Sequence, residues 1–135
     1  MAARHPRIAA REGFEHVMSL LSRLFSAPEE STSAPRVVDV HEASRRQAAG
    51  ALLIDVREPE EWKAGHAPNA RLIPLGSLAT RVAEIPRDRE VLLICRSGNR
   101  SGSAQRQLLQ LGYQQVFNVS GGMNAWAGAG LPVQR

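Results

Sequence analysis

The sequence predicts an α/β fold: a mostly parallel sheet between two layers of helices. Three observations predict it. Short apolar stretches alternate with helical segments five times between residues 37 and 132, the pattern that strand–helix–strand units impose. Two of these stretches, residues 51–56 and 91–94, are almost continuously apolar, as strands covered on both faces must be. Each ends in a residue of different chemistry, Asp55 and Cys95. That C-terminal edge is where open α/β sheets build their ligand sites.

The chain has 135 residues, enough for one domain and an extension. Residues 1–25 read as the extension. Phe14, Val17, Met18, Leu21, Leu24 and Phe25 recur at helical spacing between Arg4, Arg7, Arg11 and Arg23, which predicts an amphipathic basic helix over 8–25. Docking on the domain or on a protein partner is the favoured role, over an anionic membrane surface and a transit peptide; Met18 is an alternative start. Arg23 interrupts the apolar run, against a secretory signal, and a cytoplasmic location is expected. Residues 26–35, rich in Ser, Ala, Pro and Glu, read as a linker. Residues 36–135 form the domain.

Within the domain, residues 37–40 are a first strand and 42–49 a helix ended by Gly50. Residues 51–56 are a central strand. Pro59 opens a short helix through Ala64, at the position where a missing N–H costs nothing. Residues 71–74 are a strand, and Leu75, Leu78, Val82 and Ile85 mark a helix over 76–85 that stops at Pro86. Strand 91–94 leads to helix 101–111, closed by Gly112. Residues 115–119 are the last strand, and Gly121-Gly122 open a final helix carrying Trp126.

The most informative stretch is Cys95-Arg96-Ser97-Gly98-Asn99-Arg100-Ser101. A strand, a tight loop and a helix converge backbone N–H groups and the positive end of a helix dipole on one point. The residue at the edge of this cradle is the chain's single cysteine. N–H donors, the dipole and the guanidinium groups of Arg96 and Arg100 all favour a thiolate. A structural cysteine is a small hydrophobe in apolar company, and this loop has no apolar residue after Cys95. Cys95 therefore reads as a nucleophile and 96–100 as its anion cradle. Gly98 supplies a left-handed turn. Ser97 and Ser101 either donate to the anion or cap the helix, with capping favoured for Ser101.

Other residues read as structural. Asp55 and Arg57 support the site at most indirectly: a carboxylate at a buried strand end needs hydrogen-bond partners whatever its task. His66 caps and packs rather than acting as a base. Trp62 and Trp126 anchor the core, and Gly121 and Gly122 serve backbone geometry. One cysteine excludes an internal disulfide and a cysteine metal cluster. The four histidines are scattered, so no metal or cofactor is expected. Net charge is +4, and every basic residue but Lys63 is Arg. No basic run is long and acids are interspersed, which argues against nucleic acid. No apolar run reaches the roughly 18 residues of a membrane span.

Four segments together resemble the rhodanese-like domains in their single-domain thiosulfate sulfurtransferase form. They are residues 53–58, Glu61-Trp62 with Gly65-His66-Ala67, residues 95–101, and Gly121-Gly122-Met123-Asn124-Ala125-Trp126. The match spans residues 37–132; Ala67 and Asn69 depart from the usual Ile and Gly. The resemblance implies about five parallel strands. It implies a Cys95 persulfide held by the 96–100 backbone, taking sulfur from thiosulfate and passing it to cyanide or a thiol. Four residues separate Cys95 from Arg100, where the cysteine phosphatases of this fold have five, so a phosphatase or arsenate reductase is the weaker enzymatic reading. A persulfide carrier that acts only with a docked partner is the alternative of a different class.

Overall fold

A computed structural model of the chain describes residues 36–135. The helix and linker expected within 1–35 lie outside the described residues. The sheet has five strands, all parallel: β1 (Val37–Val38), β2 (Leu52–Asp55), β3 (Arg71–Leu72), β4 (Val91–Ile94) and β5 (Val116–Val119), in spatial order β1-β5-β4-β2-β3. The helices are α1 (Val40–Ala48), α2 (Pro59–Ala64), α3 (Asn99–Gln110) and α4 (Gly122–Gly128).

Alternation along the strands builds the layers, because successive side chains point to opposite faces. Leu52, Ile54, Val91 and Leu93 enter one core with Ala104 and Leu108 of α3 and with Ile73, Leu78 and Ile85. Leu53, Leu92, Ile94, Phe117 and Val119 enter the other, with Val40 and Ala43 of α1 and Met123 and Trp126 of α4. β2 and β4 are buried along their whole length. Their C-terminal ends lie side by side, Asp55 level with Ile94, so Asp55 and Cys95 emerge at the same edge.

Three expectations are corrected. The helix expected over 76–85 is two separate 3-10 turns, Leu75–Ser77 and Val82–Glu84. Spacings of three between apolar residues suit a 3-10 turn as well as an α-helix. Here Leu78 and Ile85 reach the core while the Tyr113 hydroxyl donates to the Ile85 carbonyl at 2.7 Å and lies 3.2 Å from that of Val82. The first strand stops at Val38 and the helix begins at Val40. Asp39 is the reason: its Oδ1 accepts from the Glu42 N–H at 2.8 Å and caps α1. Trp62 is not a core anchor, since α2 buries none of its residues. Its ring is half-buried and stacks on His66, with centroids 3.6 Å apart and planes 3° from parallel.

Asn69 has φ 62°, the only positive value outside glycine among the described residues. Asparagine is one of the few residues that reaches the left-handed region at modest cost.

Candidate active site

Cys95 is the first residue beyond β4, buried at 1% exposure on the α3 side of the sheet. Burial alone would suit a structural thiol. What sets this one apart is the convergence of donors on its sulfur. The loop turns back at Gly98, with φ 110°, and the Gly98 N–H reaches Sγ at 3.0 Å. The Ser101 Oγ lies 3.2 Å from Sγ. Burial pushes the thiol pKa up. Hydrogen bonds from the Ser101 hydroxyl and from the backbone of Ser101, Gly98 and Ser97 outweigh it, so Cys95 falls below the ordinary thiol value.

Ser101 was expected to cap the helix. Instead α3 starts two residues earlier, at Asn99, with Gly98 in the cap position. This puts Ser101 in the first turn, fully buried and turned to the sulfur. Its Oγ also lies 2.6 Å from Oδ1 of Asn118 on β5, whose Nδ2 donates to Gly98 O at 3.1 Å. Asn118 ties the loop to the neighbouring strand, and it escaped the sequence reading. An asparagine inside a strand expected to be buried needs a hydrogen-bond partner; that was the available signal.

The two loop arginines part company. Arg100 Nη1 and Nη2 donate to the Glu61 carboxylate of α2 at 2.7 and 2.9 Å. The Arg100 guanidinium, opposed by partial burial and helped by the Glu58 backbone, holds the Glu61 carboxyl down at about 2. Arg96 is exposed and makes no ion pair among the described residues. Glu61 is the second residue the sequence did not single out as part of the site. Its partner is 39 positions away, beyond any local pattern.

Asp55 and Arg57 form a buried pair. Asp55 Oδ1 accepts from the Arg57 backbone N–H (3.0 Å) and Nε (2.9 Å), and Oδ2 from Nη2 (2.8 Å). Arg57 Nη2 also donates to Gly65 O at 2.7 Å, fastening the end of α2 to the end of β2. No hydrogen bond joins the pair to Cys95 among the described residues. His66 Nδ1 is 2.8 Å from Trp62 O, and its backbone pairs with Gln134; it packs and caps as expected.

The floor of the loop is α4. The Met123 and Asn124 N–H groups donate to Cys95 O (2.8 Å) and Arg96 O (3.0 Å). Gly122, with φ 54°, lets the helix start come this close: a Cβ there would meet Cys95 O and stand 2.6 Å from the Arg96 carbonyl carbon. The start of the loop is therefore held by backbone N–H groups of α4.

A family model described as the rhodanese-like domain matches residues 39–129. A protein of Allochromatium vinosum named sulfurtransferase is 43% identical over 98 residues, 71% of this chain and 92% of that protein. The reduced CoADR-RHD protein of Bacillus anthracis superposes with a TM-score of 0.66 at 39% identity; the match covers 68% of this chain but only 16% of that one. A rhodanese-related protein of Thermoplasma volcanium gives a TM-score of 0.69 at 32% identity, over 73% of this chain and 97% of that one.

Proposed function

The chain belongs to the rhodanese-like domain family, and from that premise we propose that it is a sulfurtransferase working through a persulfide on Cys95. The observation that carries the reading is the pair of groups placed to donate to a sulfur anion: the Gly98 N–H at 3.0 Å and the Ser101 hydroxyl, within 3.2 Å, at the start of α3. Such donors stabilise negative charge on sulfur and have little to offer a neutral structural thiol.

In the first half-reaction the Cys95 thiolate attacks the outer sulfur of thiosulfate. The new S–S bond forms as the old one breaks, and its electron pair leaves with sulfite. The negative charge moves to the outer sulfur of the persulfide, within the 96–100 loop. In the second half-reaction cyanide or a thiolate attacks that outer sulfur and Cys95 departs as thiolate. Both halves are substitutions at sulfur, joined by a covalent intermediate, and predict ping-pong kinetics. Arg96 is the cation on hand to attract an anionic donor, because Arg100 is committed to Glu61. Asp55 and Arg57 take no chemical part and hold α2, and with it Glu61, in place. The four-residue reach from Cys95 to Arg100 favours sulfur over a phosphate as the cradle's load.

The deep burial of Cys95 and the presence of a similar domain as 16% of the Bacillus anthracis chain favour one second reading, a persulfide carrier that gives its sulfur to a docked protein. One experiment tests both. The protein is incubated with thiosulfate, its mass is recorded, and thiocyanate release is followed after cyanide is added. A gain of about 32 Da on Cys95, one sulfur, with turnover abolished in Cys95→Ser, is the expected result. A mass gain without turnover selects the carrier. No mass gain with thiosulfate or with a polysulfide overturns both.

A further inference from the structure

The Ser101 hydroxyl has two neighbours that want the same proton. We propose that Asn118 is a positioning residue that holds this proton away from Cys95 while the sulfur is uncharged and yields it when the sulfur becomes a thiolate.

The amide orientation of Asn118 is set by its other contact. Nδ2 faces Gly98 O at 3.1 Å; the reversed amide would bring two acceptors together there. Oδ1 therefore faces Ser101 Oγ, at 2.6 Å. An amide oxygen only accepts, so this short contact is a hydrogen bond only if Ser101 donates. The hydroxyl has no second proton. In this arrangement the 3.2 Å contact between Oγ and Sγ is made by the thiol, whose S–H donates to Oγ, and the three groups form a chain Cys95, Ser101, Asn118.

Ionisation reverses the order. The thiolate only accepts, so Ser101 must turn its proton from Oδ1 to Sγ. The gain on the sulfur is a charge-assisted hydrogen bond, and the cost is an Asn118 oxygen without its donor. Asn118 thus acts against the thiolate, and Ser101 acts for it. Taken with the proposed persulfide mechanism, the device follows the charge. Sγ is uncharged in the thiol and in the persulfide, where the charge sits one atom further out. It is charged as the attacking thiolate and again as the leaving group. The proton is delivered at these two moments. Only this last step rests on the sulfurtransferase reading; the competition for the proton stands on the geometry. The charged groups of the loop and of the elements packed against it are Arg96 and Arg100, Glu61 on α2, the Asp55–Arg57 pair at the end of β2, and Arg106 on α3, whose Nη1 lies beside Gly102. None of them bonds to Asn118, so its substitution leaves them in place.

The test is the pH dependence of Cys95 alkylation by iodoacetamide, read by mass, in the full chain. It needs no sulfur donor, so it is independent of whether the protein transfers sulfur. Asn118→Ala frees Ser101 to serve the thiolate alone and is expected to move the midpoint to lower pH by about one unit, about tenfold more thiolate below the midpoint. Ser101→Ala is expected to raise the midpoint, and in that background Asn118→Ala is expected to change nothing. Asn118→Leu, close in size and without an acceptor, tests the same point should the alanine variant fail to fold: its midpoint is also expected below wild type. An unchanged or raised midpoint in folded Asn118→Ala or Asn118→Leu, or an equal shift in both backgrounds, overturns the proposal.

Discussion

Gly122 shows how a single position can decide the site. Its φ of 54° is one that most L side chains avoid, and the space a Cβ would fill is taken by the Cys95 and Arg96 carbonyl groups. Gly122→Ala is expected to destabilise the domain by about 2–4 kcal/mol, lowering Tm by about 10 °C or more. Alkylation of Cys95 in the folded variant should lose its low-pH component, since the displaced helix no longer holds the loop carbonyls. An unaltered melt would show that α4 can yield without cost. At this scale the sequence was readable wherever a residue's task is local. Cys95 after an apolar strand and Gly98 at a tight turn announce themselves by their neighbours. Glu61 and Asn118 did not, because their partners are 39 and 17 positions away, and no helical or strand period links such distances.

At the scale of elements, the link that matters joins α2 to α3. α2 has six residues and buries none of them, so apolar burial does not account for its place. Its fastenings are polar: the capping box between Glu58 and Glu61, the Arg57 bond to Gly65 O, and the Glu61–Arg100 pair. The Glu61 carboxyl is lowered from 4.5 to about 2. A depressed acid contributes stability that is fully present above its unfolded value and is lost as pH falls through the folded one. Wild type is therefore expected to exceed Glu61→Gln by about 0.5–1 kcal/mol at neutral pH, a figure reduced by solvent screening of two partly exposed side chains. The gap should close as pH falls from 4.5 towards 2. Denaturant unfolding at pH 7, 4 and 2.5 checks it, and a gap independent of pH would assign the difference to packing. Elements with strong signals were legible: the buried strands, Pro59 opening α2, the two glycines opening α4. Residues 76–85 were not, because three-residue spacing leaves α and 3-10 geometry undistinguished.

For the whole molecule, the parallel sheet separates two cores that share only the strands. The alternation of short apolar stretches with helices predicted this arrangement, and in the order β1-β5-β4-β2-β3 the strand before Cys95, β4, lies in the middle. The order itself could not be read, because nothing in a strand's composition names its neighbour. Stability should be unevenly distributed as a result. The central strand β4 pairs on both sides, while β1 and β3 are two-residue edges and Val37 is 55% exposed. Native-state hydrogen exchange is expected to be slowest in β4 and much faster in β1 and β3, which open without global unfolding. Equal protection across the five strands would mean that the edges are held by more than their own pairing.

The pairing of β1 with β5, Val37 against Asn118, bears on how the protein is made. On the ribosome the earliest strand of the domain waits without its neighbour until synthesis has passed residue 119, and the sheet closes only then. The nascent thiol has the same wait. The strand bearing Asn118 and the helix N–H groups that secure the Cys95 and Arg96 carbonyls are all made after Cys95. Until then the Cys95 loop lacks the contacts that hold it in the finished fold, and its surroundings are completed only by residues well downstream.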